Sequence, residues 1–305
     1  MACPIRQGSR EPRGGARGLI HLDQLKYPTM TPSEQSLLGT FIEREFGVQM
    51  PPSKRSLLQS RLAKRVQALG LASYREYFDF VVSNRGQDEF LIFTDLVTTH
   101  ETSFFREDKH FHILGDTILP HWKPEEESGG RGTLNALCAA CSSGEEVYTL
   151  AMVLDSALER RPPGFHSFTV EGLDLSERMV SQAKRGVYTS ERAKRVPQLL
   201  QNRYFMHHKD PHKTLCRVVP ELRARTVFHQ GNLLTDPQTL QPRYELIFCR
   251  NVLIYFNKEN QERVVRFLIS RLTPGGYLFL GHSETMAGTL SGLPSPYHSV
   301  YRRPA

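Results

Sequence analysis

In the stretch FCRNVLIYF, residues 248–256, an arginine and an asparagine follow directly on a run apolar enough to be a buried strand, and the chain then turns apolar again up to Tyr255. Three other apolar runs end similarly: TLNALCA runs into AACSSGEE, SFTVEGLD ends on Asp174, and TVFHQ is followed by Gly231, Asn232 and Leu233. In an open parallel sheet ligands bind beyond the carboxyl ends of the strands, so these residues would converge on one cleft. An acid at the tip of the second strand is placed to accept both hydroxyls of a ribose, and a small-residue turn entering a helix lets backbone approach a ligand. Together they point to an adenosine-containing cofactor. A dinucleotide would call for G-x-G-x-x-G at the first turn, where the chain has Gly144 followed by Glu145 and Glu146, and no G-x-x-x-x-G-K-[ST] occurs. Carboxylates there repel a pyrophosphate but suit an amino group and a sulfonium, the features of S-adenosylmethionine (SAM). On these residues alone an α/β domain whose strand-end acids cap helices stays open as the alternative. Arg250 likewise reads equally as a structural ion pair, and Tyr255 as a core aromatic.

The elements that must carry these residues alternate from residue 133 onward. Strands TLNALCA, SFTVEGLD, TVFHQ, YELIFC and YLFLG alternate with helices EEVYTLAMVLDSALER, SERMVSQAKRG and KENQERVVRFLISRL, the last closed by TPGG, and YHSVYRR ends the chain. The pattern predicts a mostly parallel sheet covered on both faces. RYFMHHKDPHKTLCRVVPEL fits no crossover helix and reads as an inserted hairpin-like subdomain at about 203–220. Before the polar stretch KPEEESGGRG the style is all-helical. Thr31, Pro32 and Glu34 form an N-terminal helix signature closed at Gly47, and SYREYFDFVVSN and QDEFLIFTDLV continue as helices. In SKRSLLQSRLAKRVQALG, Leu58, Leu62, Val66 and Leu69 share one face, while Lys54, Arg55, Arg61, Lys64 and Arg65 predict a wholly basic outer surface. That surface is either a solvated face or a docking face for an acidic partner.

The domain boundaries that follow are a disordered tail over 1–30, a helical domain over 31–99, a linker and helix over 100–122 that contribute to the cofactor site, and the cofactor-binding domain over 123–305. The Arg- and Gly-rich tail has too few apolar residues to offset the entropy of ordering. No run approaches the length of a membrane span and no secretory signal is evident, so a cytoplasmic place without membrane insertion is expected. The five scattered cysteines predict reduced thiols, and Cys138 and Cys141, lacking a second C-x-x-C, read as small buried side chains. His207, His208 and His212 lie in a loop without a second shell, and no metal is expected. A net charge of +7 is compatible with nucleic acid, an anionic membrane surface or an acidic protein.

LVTTHETSFFRE (96–107), CAACSSGEEVYTLAM, LDLSERMVSQAKRGVY, FCRNVLIYF and LFLGHSET stand in this order, and together they resemble the chemotaxis receptor glutamate O-methyltransferases of the CheR type from about Thr31 to the C-terminus. The resemblance implies an all-α N-terminal domain, a Rossmann-like SAM-binding α/β domain with a small inserted antiparallel β subdomain, and transfer of a methyl group from SAM to glutamate carboxylates of chemoreceptors, leaving S-adenosylhomocysteine and methyl esters that serve sensory adaptation. It implies cofactor contacts at His100, Thr102, Arg106, Glu146, Asp174, Asn232, Leu233, Arg250 and Asn251, and places Tyr255 facing the transferred methyl group. At position 100 many members carry Asn; histidine keeps the hydrogen bonding but adds a charge that varies with pH. The loop MHHKDPHKT lacks the glycines of members that bind a receptor tail peptide.

A carboxylate acceptor is already ionised at neutral pH and needs no general base. The enzyme's work is placement, with Arg106 orienting the carboxylate and Tyr255 positioning it. The substrate would be the cytoplasmic helices of receptors, acidic at the adaptive glutamates, and the basic helix would steer a monomeric enzyme onto them. A nucleic-acid methyltransferase is disfavoured because RNVL replaces [ND]-P-P-[FY] at the fourth strand end and no base-stacking module is evident. The remaining alternative is a non-catalytic SAM-binding adaptor of the same fold in a chemosensory-type pathway.

Overall fold

The computed structural model describes residues 27–83, 88–122, 132–160, 164–210, 212–235, 240–241, 243–284, 290 and 292–304. Of the disordered tail expected over 1–30, residues 1–26 lie outside them, as does nearly all of the stretch KPEEESGGRG. The expected end of the tail falls too late, since Met30 is buried in the helical core and its N–H donates to Gln59 Oε1 at 2.9 Å. The first helix, α1 (Pro32–Phe46), starts where the sequence signature places it. The Thr31 hydroxyl accepts from Glu34 N, the Glu34 carboxylate accepts from Thr31 N, and Gly47 at φ 74° ends the helix in the left-handed region. Helices α2 (Arg55–Ala68), α3 (Tyr74–Ser83) and α4 (Asp88–Val97) pack with α1 around Leu38, Phe41, Leu58, Leu62, Val66, Tyr77 and Phe93. The apolar stripe of α2 is buried except for Leu69, which is half-buried.

The outer face of α2 is less basic than expected. Arg61 donates to Val97 O (2.6 Å) and Thr99 Oγ1 (2.8 Å), and Arg65 forks onto the buried carboxylate of Glu89, which also accepts from Tyr77 Oη at 2.8 Å. Lys54 Nζ donates to Gln49 O. Arg55 and Lys64 are the cations of that set left exposed. The stripe was readable from period alone, whereas partners in α4 and beyond were not.

A short helix, α5 (Lys109–His112), continues through a π turn and leads to the α/β domain. There β1 (Thr133–Ala139), α6 (Glu145–Glu159), β2 (Ser167–Asp174), α7 (Glu177–Arg185), β3 (Val187–Thr189), α8 (Ser190–Ala193), α9 (Gln198–Tyr204), β4 (Phe205–His207), β5 (Leu215–Val218), α10 (Pro220–Arg223), β6 (Thr226–Gln230), β7 (Tyr244–Cys249), α11 (Lys258–Arg271), β8 (Leu272–Leu280) and β9 (Val300–Arg302) follow. The main sheet runs β6-β2-β1-β7-β8-β9, parallel except at β9. Both faces are apolar, because alternate residues enter different cores: Ala136, Cys138 and Phe248 on one side, Leu137, Ala139 and Ile247 on the other. The TPGG segment does not close α11 but belongs to β8, where the register against β7 shifts.

The inserted subdomain is a three-stranded antiparallel sheet, β3-β5-β4, so it recruits Val187–Thr189 from just behind α7 as well as residues of the 203–220 stretch. Cys138, Cys141, Cys216 and Cys249 are free and buried, and burial raises each thiol pKa. Cys3 lies outside the described residues. No helix among the described residues is long and apolar enough to cross a membrane.

Candidate functional site

All the residues predicted for the site line one cavity at the carboxyl ends of β1, β2, β6 and β7: His100, Thr102, Arg106, Glu146, Asp174, Asn232, Leu233, Arg250, Asn251 and Tyr255. The cavity sits where the strand order reverses about β1. Its apolar lining comes from both domains, with Phe46 and Val48 on one side and Leu173, Val252 and Phe256 on the other. Non-glycine residues in the left-handed region cluster here: Ala140 (φ 61°), Ser142 (φ 48°) and Asn251 (φ 58°) line it, and Phe105 (φ 51°) and Glu107 (φ 52°) stand on the adjoining loop. Each costs about 1 kcal/mol or more, so strain is concentrated where backbone must face a ligand. At Gly144, φ is 93° and an added Cβ would come within 2.8 Å of the Ala183 Cβ, which explains the single glycine in the first turn.

Asp174 is fixed by backbone. Its Oδ2 accepts from Ser142 N at 2.7 Å and its Oδ1 from Ser176 N at 2.9 Å, leaving lone pairs on both oxygens. Burial raises its pKa, against the pull of those amides and of His100. His100 Nε2 lies 2.9 Å from Asp95 O and 3.1 Å from Asp95 Oδ1, atoms that can only accept, so this nitrogen carries the proton. Asp95 also accepts from Ser176 Oγ and Arg178 Nε, and thereby fastens α4 to the start of α7. Asn232 is bridged to the helical domain as well, its Nδ2 donating to Glu45 O at 2.9 Å. Tyr255 O accepts from Gln49 N at 2.8 Å, which holds the tyrosine at the domain junction.

Arg250 is the structural ion pair its sequence position allowed, and it lines the cavity as well. Its guanidinium is fully buried over the Phe111 ring, and it donates to Glu146 Oε2 (2.8 Å), Glu107 Oε2 (3.0 Å) and Arg106 O. Burial would raise the Glu107 pKa, but the hydrogen bonds from Asn251 and Arg250 outweigh it and hold the carboxyl at about 2. At Glu146 burial wins over Arg250, and the pKa is raised. His110, 1% exposed, lies against His282 with ring centroids 4.7 Å apart; burial first, then Arg250 and His282, lower its pKa to about 4. Glu107, His110 and His282 bring their ligand atoms within 4.8 Å of one another. The Glu107 oxygens are nevertheless committed to Arg250, Asn251 and the His282 N–H.

Several residues around the site were assigned no contact or structural role from sequence. Glu284, 4% exposed, accepts from the backbone N–H groups of Asn251, Leu253, Ile254 and Gly281, and so shapes the turn after β7 with one carboxylate. Glu145 is buried against Arg192 and Ser143 Oγ, which ties the first turn to α8. Glu107 and Glu284 stood inside quoted motifs, but neither follows a strand directly. Nothing in the sequence marks Arg192.

Thr102 and Arg106 come from the loop after α4. Arg106 Nη1 donates to Glu101 O at 2.9 Å, whereas both terminal nitrogens of Arg250 are committed to Glu146, Glu107 and Arg106 O, and its Nε is buried without a partner among the described residues. Of the arginines lining the cavity, Arg106 therefore has donors left for an anion. With carboxylates at Glu146 and Asp174 and no lysine in its lining, the cavity suits a cationic, hydroxyl-bearing ligand better than a polyphosphate.

Two family descriptions match the chain. "CheR methyltransferase, all-alpha domain" covers residues 34–98, and "CheR methyltransferase, SAM binding domain" covers residues 100–294. A chemotaxis protein methyltransferase of Escherichia coli is 35% identical over 251 residues, 82% of this chain and 83% of that protein. One of Klebsiella aerogenes is 34% identical over 250 residues, 82% of each chain. One of Borreliella burgdorferi is 30% identical over 259 residues, 85% of this chain and 90% of that protein.

Proposed function

The chain belongs to the CheR family of SAM-binding methyltransferases, and on that premise we propose that it methylates glutamate side chains on the cytoplasmic helices of chemoreceptors. The observation that carries the choice of acceptor is the unequal state of the two cavity arginines. Arg250 spends its donors on Glu146, Glu107 and a carbonyl, while Arg106 keeps most of its fork free at the cavity. A glutamate carboxylate entering past Arg106 is oriented by paired hydrogen bonds and needs no base, since it is ionised at neutral pH. Bound in the cavity, SAM supplies a sulfonium methyl that the acceptor oxygen takes by displacement, leaving S-adenosylhomocysteine. Asp174 would hold the ribose hydroxyls, Asn232 and Leu233 the adenine, and Glu146 the methionine amino group. His100, Thr102, Arg250 and Asn251 complete that contact set, directly or by fixing the turns. Tyr255 and the apolar Phe46, Val48 and Phe256 close the reacting atoms off from water.

The helical domain would present Arg55 and Lys64 to the acidic receptor surface. Arg61 and Arg65 act instead inside the domain, so reversing them would test stability rather than docking. Arg55→Glu with Lys64→Glu should lower receptor methylation several-fold at low salt while leaving SAM affinity unchanged. Unchanged kinetics would remove this face from recognition. The enzyme is taken to act as a cytoplasmic monomer.

The test of the whole reading is calorimetry with SAM and S-adenosylhomocysteine on wild type and Asp174→Ala, followed by methyl transfer to a receptor cytoplasmic fragment. Wild type should bind both, and Asp174→Ala should lose roughly a hundredfold in affinity, as expected when hydrogen bonds to a buried charged group go. The transferred methyl should be released as methanol by mild base, the mark of a carboxyl ester. A base-stable product would sink the glutamate assignment, and SAM binding without transfer to any receptor fragment would favour the adaptor.

A further inference from the structure

The loop from Glu101 to Arg106 is shared by two cavities. Its inner side lines the cofactor cavity; its outer side, with residues of α8 and the turn after it, lines a second cleft. Arg106 stands on both. We propose that the outer cleft is a second carboxylate subsite, which takes an acidic side chain neighbouring the acceptor glutamate, with Arg195 as its cation. This rests on the reading of an acidic protein acceptor given above.

The charges in the cleft are unequal in availability. Arg192, the cation closest to the first turn, is committed: its Nη2 pairs with the buried Glu145 and lies 3.3 Å from Ser143 Oγ. Glu191 is paired with Lys194. Arg195 is exposed, and its hydrogen bond among the described residues goes to a neutral group, Ser103 Oγ at 3.2 Å. That bond anchors the guanidinium beside the loop and leaves most of its donors for a ligand. Opposite stands the exposed carboxylate of Glu101. An anion in the cleft is thus attracted by Arg195 and Arg106 and repelled by Glu101.

The geometry suits a helix that carries more than one carboxylate. On a helix, side chains three or four residues apart share a face, so an acceptor glutamate reaching past Arg106 brings its neighbour to the outer side of the same loop. Two guanidiniums on two sides of one loop then read two carboxylates. Arg195 would act on specificity without touching the reacting atoms. Being at the surface, it should matter more to KM and its salt dependence than to kcat.

The experiment compares helical peptides that carry one acceptor glutamate and, one turn away, either Glu or Gln, using the full chain at saturating SAM. Wild type should show about a tenfold lower KM for the Glu-neighbour peptide, the scale of one charge-assisted hydrogen-bonded pair. Arg195→Ala should erase that preference with kcat and SAM affinity unchanged, Arg195→Lys should keep part of it, and Glu101→Gln should enlarge it. Equal KM values for the two peptides in wild type, or a full preference surviving in Arg195→Ala, overturns the subsite. Should wild type bind SAM yet modify neither peptide, the acceptor reading itself fails and the subsite with it.

Discussion

Two arginines of one cavity divide its labour by burial. At the inner end Arg250, fully enclosed over Phe111, meets two carboxylates and a carbonyl. At the outer end the hydrogen bond that Arg106 donates among the described residues goes to one backbone carbonyl, and most of its donors stay open. A buried charge is tolerated only when it is paired, and a charge that must bind a passing anion has to be left under-paired. The inner end therefore reads as architecture and the outer end as function, although both carry the same side chain.

Exchanging the burdens of the two arginines tests that division most directly. Arg250→Met would strand Glu146 and Glu107 in the interior and should cost about 3–5 kcal/mol of unfolding free energy, read from denaturant midpoints. Arg106→Ala should shift the same midpoints by no more than about 0.5 kcal/mol, yet lower methyl transfer roughly a hundredfold. A large loss of stability in Arg106→Ala, or none in Arg250→Met, would break the comparison.

A smaller effect sharpens the picture of the inner end. With its folded pKa near 4, His110 stays neutral in the native state while the unfolded chain takes up a proton below its ordinary value of 6.5. Stability from this group is present above that ordinary value and lost as pH falls from 6.5 toward 4. Glu107 then adds to the loss below 4.5, where the unfolded carboxyl protonates and the native one, held at about 2, does not. His110→Phe should flatten the dependence of the denaturant midpoint between pH 6.5 and pH 4 and leave the lower limb in place. An unchanged slope there would assign the titration to other groups.

What could be read from the sequence was local. The capping box of α1 spans four residues, and the strand ends that carry Asp174, Asn232 and Arg250 are defined by the run that precedes each. What could not be read was pairing across the chain. Arg250 meets Glu107 over a separation of 143 residues, and Arg192 meets Ser143 over 49. No periodicity records such partners. For the same reason α2 promised a basic face from composition, while Arg65 had its counter-charge waiting in α4. The resemblance supplied the site positions and separate roles for Arg106 and Arg250, but not the partners that bury the one and leave donors free on the other.

Asn232 hangs from Glu45 O, Gln49 donates to Tyr255 O, and Phe46 and Val48 form part of the cavity wall. The two domains are consequently not interchangeable modules. On the function proposed above, swapping the helical domain for a relative's to redirect methylation to another receptor would also exchange one side of this cavity, so target preference and donor affinity should be inherited together.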